Sequence, residues 1–264
     1  MARQRIELKN ADQLGLMARA GAIVCEVLDE VEARVAPGIS TWELDEIARA
    51  VLGTHDATSA FEGYSHEHGG AAFPGVLCTS VNDAIVHGIP SKDVVLVEGD
   101  VITVDFGCVA QGFYGDSART VAVGEVAPRI AHLLEVTKSA LDEAIRRCRV
   151  DGRLFEIGDA VEKVVVPHGY GIVTEFVGHG IGRALHEEPQ VPNFVPRGCK
   201  PRGGLRFRPG LVMAIEPMVN LGTARTRRLE DGWTIVTADG LPSAHFEHTV
   251  AITEDGPIVL TSRS

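Results

Sequence analysis

Apolar residues recur every three or four positions from Asn10 to Val35, at Leu14, Met17, Ala20, Ile23, Val24, Val27, Leu28 and Val31, and the pattern stops at Ala36-Pro37-Gly38. That period lines one face of a helix, so a long first helix is predicted. A second follows, capped by Ser40 or Thr41, with Glu43 placed for a capping box and Leu44, Ile47, Ala48 and Val51 turned inward. Residues His55 to Pro74 are rich in Gly, His and Ser and predict irregular chain. Val76 to Ser80 and Val94 to Val97 predict strands, and Val101 to Cys108 with Phe113 to Val123 predict a hairpin. After Pro128 the helical period returns through Ile130, Leu133, Leu134, Val136, Leu141 and Ile145, and a further helix is predicted over Leu154 to Val165.

The strand grammar then repeats. Gly99 to Asp105 (GDVITVD) and Gly210 to Glu216 (GLVMAIE) are both apolar strands that end in an acid. A carboxylate at the inner end of an apolar run is costly to desolvate without a cation or hydrogen-bond partner, so the pair points to one shared charged site. His87-Gly88-Ile89 precedes the first phrase and His179-Gly180-Ile181 the second. Downstream, Asp116 leads into Thr120-Val121-Ala122-Val123 and Glu247 into Thr249-Val250-Ala251-Ile252, aligned only after a two-residue shift. Helices, His-Gly-Ile, strand-acid and a second acid, given twice, predict an α+β chain of two similar halves, about 10–125 and 126–264, packed about a pseudo-twofold axis as one domain.

Composition narrows the classes of function. With 45% hydrophobic and 23% charged residues, the 264-residue chain falls among folded globular proteins. No run approaches membrane-spanning length and the first ten residues lack a signal-peptide core, so a cytosolic monomer is expected, with no membrane contact. The five cysteines are scattered and form no Cys-x-x-Cys pair, which reads as free thiols. A net charge of -11 argues against DNA. The segment holding Arg197, Lys200, Arg202, Arg206 and Arg208 runs the other way: it is a solvated loop able to make transient contact with ribosomal RNA.

Asp105, Asp116, Glu216, Glu247 and His179 then form a set of four carboxylates and one imidazole. Four carboxylates held together repel and raise one another's pKa values unless strong positive charge lies among them. Two divalent metals supply it, and oxygen ligands with a single His suit Mn²⁺, Fe²⁺, Co²⁺ or Zn²⁺ without choosing among them. Paired metals generate hydroxide at neutral pH and polarise the carbonyl it attacks, which is hydrolytic chemistry. His186 and His87 remain as imidazoles able to hydrogen-bond a developing oxyanion or carry protons.

Six segments in order, Val81-Asn82-Asp83 through His87-Gly88-Ile89-Pro90, Val104 to Gly107, Gly115-Asp116, Gly178 to Arg183 through His186-Glu187-Glu188-Pro189, Ile215 to Met218, and Phe246 to Thr249, resemble the type I methionine aminopeptidases. The resemblance implies the pita-bread fold, two pseudo-symmetric halves around a dinuclear metal site, and removal of initiator methionine from nascent chains whose second residue is small. By that resemblance Asp105 chelates one metal, Asp116 and Glu247 bridge both, and His179 and Glu216 bind the other, with Glu216 also accepting a proton from the attacking water. His186 is implied to face the scissile carbonyl and His87 the peptide nitrogen. Phe73, Cys78, Leu185 and Trp233 match the methionine pocket, and Asn82 and Ser243 a monovalent-cation site. The chain departs from the family at 68–74 (HGGAAFP), where two tyrosines are lost, at Leu185 for a commoner Phe, and at His245 for a commoner Gln. The five ligand positions are unchanged, so the departures bear on the substrate entrance.

Two rival readings share these motifs. X-Pro aminopeptidases of the same fold generally carry a sizeable N-terminal domain, whereas here the first metal-site motif arrives by residue 105. A non-catalytic peptide-binding relative would have lost ligands, and none is missing.

Overall fold

In the computed structural model, which describes residues 6–65 and 70–262, Asn10 caps α1 (Ala11–Glu32) and Ser40 caps α2 (Thr41–Leu52). Both are full capping boxes, closed by Gln13 and Glu43, so two otherwise free N–H groups at the start of each helix are satisfied locally. The helices cover a sheet formed by β1 (Ala57–Ser59), β2 (Cys78–Val81), β4 (Val101–Ala110) and β5 (Phe113–Ala122). Here β4 pairs with β5 along its whole length, and with β2 and β1 over successive stretches; β3 (Ala84–Val86) leaves this sheet. Val24, Leu28, Leu44, Ile102, Val104 and Phe106 make the core between helices and sheet.

The second half begins with α3 (Pro128–Arg146), whose Pro128 occupies the first turn, where a missing N–H costs nothing, and α4 (Phe155–Val165). Its strands are β6 (Gly171–Ile172), β7 (Gly178–Gly180), β8 (Glu187–Val191), β9 (Val212–Ile215), β10 (Met218–Asn220), β11 (Thr226–Arg228), β12 (Ile235–Thr237), β13 (Ser243–His245), β14 (His248–Thr253) and β15 (Gly256–Val259). The main sheet runs β15-β14-β9-β7-β8, and two three-stranded sheets, β13-β10-β6 and β11-β12-β3, flank the seam. Leu133, Val161, Phe207, Met213 and Val250 centre its core.

Strand register makes the repeat explicit. As β2 and β5 flank β4, so β7 and β14 flank β9. Asp105 lies two residues past Thr103, which pairs with Ser80; Glu216 lies two past Ala214, which pairs with His179. Asp105 also faces Ala118, whereas Asp116 stands two residues earlier on β5, which accounts for the shift seen in the sequence. The His-Gly-Ile parallel does not survive. By register the counterpart of His179 is Ser80, and His87 lies beyond β3, which pairs with β12 in another sheet, with its own backbone turned to φ 60°.

Two smaller expectations also fail. Val94 to Val97 form no strand: Val94, Val95 and Val97 are exposed, and the segment only bridges Ser40 through Val95. The irregular stretch after His55 contains β1, whose three residues pair antiparallel with β4, Ser59 opposite Cys108.

Candidate active site

The seam between the halves is where both sheets present their acids. The Glu247 N–H donates to the Ala118 carbonyl at 2.9 Å, and the Ser117 hydroxyl donates to the Glu247 carbonyl at 2.5 Å. One turn of chain away, Thr120 Oγ1 accepts from the His245 N–H at 2.8 Å and donates to the His245 carbonyl at 2.9 Å. Strand β5 of the first half is thereby stitched to β13 and β14 of the second, and Asp116 and Glu247 arrive side by side.

One cavity of about 160 Å³ is lined by Asp105, Asp116, His179, Glu216 and Glu247 together with His87, His186, Phe73, Cys78, Leu185 and Trp233. All residues that the sequence singled out for metal, peptide and methionine pocket therefore surround a single space. Phe61 and Tyr64 line it too, and sequence reasoning had passed over both. The signal for Tyr64 was an aromatic beside Gly63 in an otherwise polar loop. Its hydroxyl lies 2.9 Å from His186 Nδ1. Of segment 68–74, His68 and Gly69 lie outside the described residues; Phe73 donates its N–H to the Tyr64 carbonyl at 2.8 Å, and the Ala71 carbonyl accepts from Trp233 Nε1 at 2.9 Å.

The charged wall is buried and incomplete. Atoms from Asp116, His179 and Glu247 fall within 4.8 Å of one another, and His179 Nε2 stands 3.6 Å from Glu216 Oε1 and 4.0 Å from Asp116 Oδ2. Asp105 Oδ1, Asp116 Oδ1 and Glu247 Oε1 are buried without a hydrogen-bond partner among the described residues. Burial, and then the neighbouring acids, push Asp105, Glu216 and Glu247 well above the usual carboxylate range; burial carries Asp116 to about 7. A site that penalises its own negative charge in this way needs cations to complete it, and oxygen-rich donors with one imidazole fit divalent metals.

His179 is preset for such a role. Its Nδ1 is 2.9 Å from the Gly180 carbonyl, which can only accept, so Nδ1 carries the proton and the Nε2 lone pair faces the acids. Burial, with the neighbouring His186, holds its pKa down at about 3, so the ring is neutral. His186 packs edge-on against it at 4.4 Å between ring centres, its own pKa lowered by burial. His245 is a further buried imidazole: Nε2 stands 3.9 Å from Glu216 Oε2 and 4.0 Å from Glu247 Oε2, and neither ring nitrogen has a hydrogen-bond partner among the described residues.

The opposite wall is apolar. Trp233 meets Phe73 edge-on at 5.3 Å and Tyr64 at 6.4 Å, while His87 lies between Trp233 and Phe176 at 6.4 and 5.8 Å. Asn82 and Ser243 lie outside the cavity, joined by the Ser243 N–H donating to the Asn82 carbonyl at 2.9 Å. Their side chains bond Asp100 and Asn220. In the basic segment, Arg202 pairs with Glu156 and Arg206 with Asp151. Among the described residues no helix is long and apolar enough to cross a membrane.

A family model described as metallopeptidase family M24 matches residues 15–254. A methionine aminopeptidase of Clostridium perfringens is 43% identical over 97% of this chain and 98% of its own length. Methionine aminopeptidase 1 of Bacillus subtilis is 43% identical over 96% and 98%. The crystal structure of a methionine aminopeptidase from Thermotoga maritima superposes with a TM-score of 0.92 at 39% identity, covering 98% of this chain and all of the other. A prolidase from Pyrococcus horikoshii shares the fold alone, with a TM-score of 0.76 at 19% identity, over 97% of this chain and 64% of its own.

Proposed function

The chain belongs to metallopeptidase family M24, with the pita-bread fold and the activity of a methionine aminopeptidase, and from that membership we propose how its cavity removes an N-terminal methionine. The observation that carries the reading is that buried carboxylate oxygens without a hydrogen-bond partner among the described residues and an apolar slot line the same small space. Asp105, Asp116, His179, Glu216 and Glu247 would hold two divalent ions, drawn from Co²⁺, Mn²⁺, Fe²⁺ and Zn²⁺. Bound there, such ions supply Lewis acidity, which makes water nucleophilic at neutral pH and polarises the peptide carbonyl.

The protein's own groups do the rest. Phe73, Cys78, Leu185 and Trp233 take the methionine side chain, an unbranched thioether that adapts to a narrow apolar slot. Glu216 accepts the proton given up by the attacking water. With Tyr64 donating to Nδ1, His186 keeps its proton on Nε2 and donates it as a hydrogen bond to the carbonyl oxygen as negative charge develops there. His87 reaches the peptide nitrogen that becomes the leaving amine. The resemblance to the type I enzymes supports nascent chains in the cytosol as substrate, with a small second residue.

The test is cleavage of Met-Ala, Leu-Ala and Ala-Pro peptides by enzyme loaded with Mn²⁺ or Co²⁺, with metal content measured alongside. Met-Ala should be cleaved far fastest, at two ions per chain, and Asp116→Ala should abolish turnover. Preference for Ala-Pro would assign the site to X-Pro substrates instead. Undiminished metal-dependent turnover by Asp116→Ala would remove Asp116 from the ligand set.

A further inference from the structure

His186 sits on a turn that is wrapped around one carboxylate. Glu187 Oε1 accepts the N–H groups of Arg183 at 2.7 Å and Ala184 at 3.2 Å, and within the turn the Gly182 N–H donates to the Ala184 carbonyl at 3.2 Å. The other oxygen, Oε2, accepts from Lys9 Nζ at 2.6 Å. Lys9 comes from the opposite end of the chain, and its side chain is only 1% exposed.

The molecule reserves a slot for that lysine. A Cβ on Gly182 would lie 2.3 Å from Lys9 Cε and 2.5 Å from Nζ, inside any permitted contact. On the other side Lys9 donates its N–H to the Gly210 carbonyl at 2.7 Å. Gly210 has φ 87°, and a Cβ there would lie 2.4 Å from the Lys9 carbonyl oxygen. Gly182 thus leaves room for the ammonium in its present position, and Gly210 for the Lys9 backbone. The lysine stem threads from the segment before α1 into the second half, to a carboxylate that has no other cation bonded to it among the described residues.

We infer that Lys9 is a positioning residue for His186, acting through Glu187. The ammonium fixes the carboxylate, the carboxylate fixes the N–H groups of 183 and 184, and the turn sets the direction in which Leu185 and His186 enter the cavity. A carboxylate that loses a buried partner turns toward water, and that change releases the two backbone bonds. The inference rests on the proposed contact of His186 with the substrate carbonyl.

Lys9→Met keeps an unbranched stem in the slot and removes the charge, and Glu187→Gln keeps an acceptor for the turn while weakening the bond to Lys9. In metal-loaded enzyme acting on Met-Ala peptide, each should lower kcat by about tenfold or more, since small misplacements of a reacting group are expensive. Metal content should be unchanged. In a His186→Ala background Lys9→Met should lower kcat by less than about twofold further, because groups that act as one unit are not additive. Equal factors in both backgrounds, loss of metal, or an unchanged kcat in both single variants would overturn the inference. His186→Ala with undiminished kcat would instead remove the role proposed for His186, an outcome read from that variant alone.

Discussion

Asp116 and Thr249, from opposite halves of the molecule, hold each other by reciprocal hydrogen bonds: the Asp116 N–H donates to Thr249 Oγ1 at 3.1 Å, and that hydroxyl donates to the Asp116 carbonyl at 2.8 Å. Thr249 is fully buried, so no water can substitute for either bond. The backbone that carries one carboxylate of the candidate metal site is therefore set by a side chain of the other half.

Thr249→Val keeps the shape and removes both bonds. Two buried backbone groups left unpaired should cost on the order of 1–3 kcal/mol. For a chain of this length that lowers the melting temperature by roughly 2–4 °C per kcal/mol. Calorimetry should show the loss, with weaker metal retention during dialysis, and Thr249→Ser should recover both. A valine variant as stable and as metal-tight as the parent would mean that the seam is held elsewhere.

Glu247→Gln separates charge from packing. Among the described residues Glu247 Oε1 has no hydrogen bond to lose, while its charge is repelled by Asp116, Glu216 and Asp105. Stripped of metal by a chelator, the variant should therefore melt higher than the stripped parent. Adding Mn²⁺ should raise the parent's melting temperature far more than the variant's, because ligand binding stabilises only in proportion to affinity. A stripped variant that melts lower than the stripped parent would show that Glu247 stabilises the metal-free fold.

What the sequence revealed of this molecule follows the range of the interactions involved. The Ser40–Glu43 capping box, the hairpin of β4 and β5 and the helix after Pro128 rest on neighbours a few residues apart, and all are legible. The strand-end acids were legible because an acid after an apolar run is anomalous wherever it occurs. Val94 to Val97 misled because its apolar residues read as buried, while the structure turns all but Leu96 outward, tied to Gly38 and Ile39 through the backbone of Leu96. Short β1 is imposed by its pairing with β4, which no local propensity announces. Tyr64, and Lys9 beneath the His186 turn, acquire their partners across more than a hundred residues of chain, and a lysine among the charges of the first ten residues gives no sign of burial.

The apolar wall should resist mild acid. Asp231 Oδ1 accepts the N–H groups of Trp233 at 2.8 Å and Thr234 at 2.9 Å, and Oδ2 accepts the Thr234 hydroxyl at 2.6 Å. Burial alone would raise this carboxyl, but those bonds outweigh it and hold it below its ordinary 3.8. A carboxyl depressed in the folded state contributes its stability fully above the unfolded value and loses it as pH falls through the folded one. Fluorescence of Trp233, isolated by Trp42→Phe, should stay constant from neutral pH down to about 4 and change only below. Asp231→Ala should show the loosened signal already at pH 7. A transition between pH 5 and 7 in the parent would assign control of Trp233 to another group.

Thiol chemistry should distinguish the cavity cysteine from the surface one. Cys199 is exposed, whereas Cys25, Cys78, Cys108 and Cys148 are buried. Burial, then the charge of Asp116, pushes the Cys108 thiol up to about 12, and burial alone raises Cys148. Cys78 lines the cavity, yet burial and then the Asp105 and Asp116 charges drive its thiol well above the ordinary value, so the nucleophilic thiolate is scarce there. An aromatic disulfide reagent at pH 8 should therefore titrate one fast thiol in the native protein, abolished by Cys199→Ser, and all five after denaturation. Stripping the metals should leave the count at one, because the uncovered carboxylates suppress the Cys78 thiolate further. A second fast thiol that appears on stripping and disappears in Cys78→Ser would show that these acids do not govern Cys78.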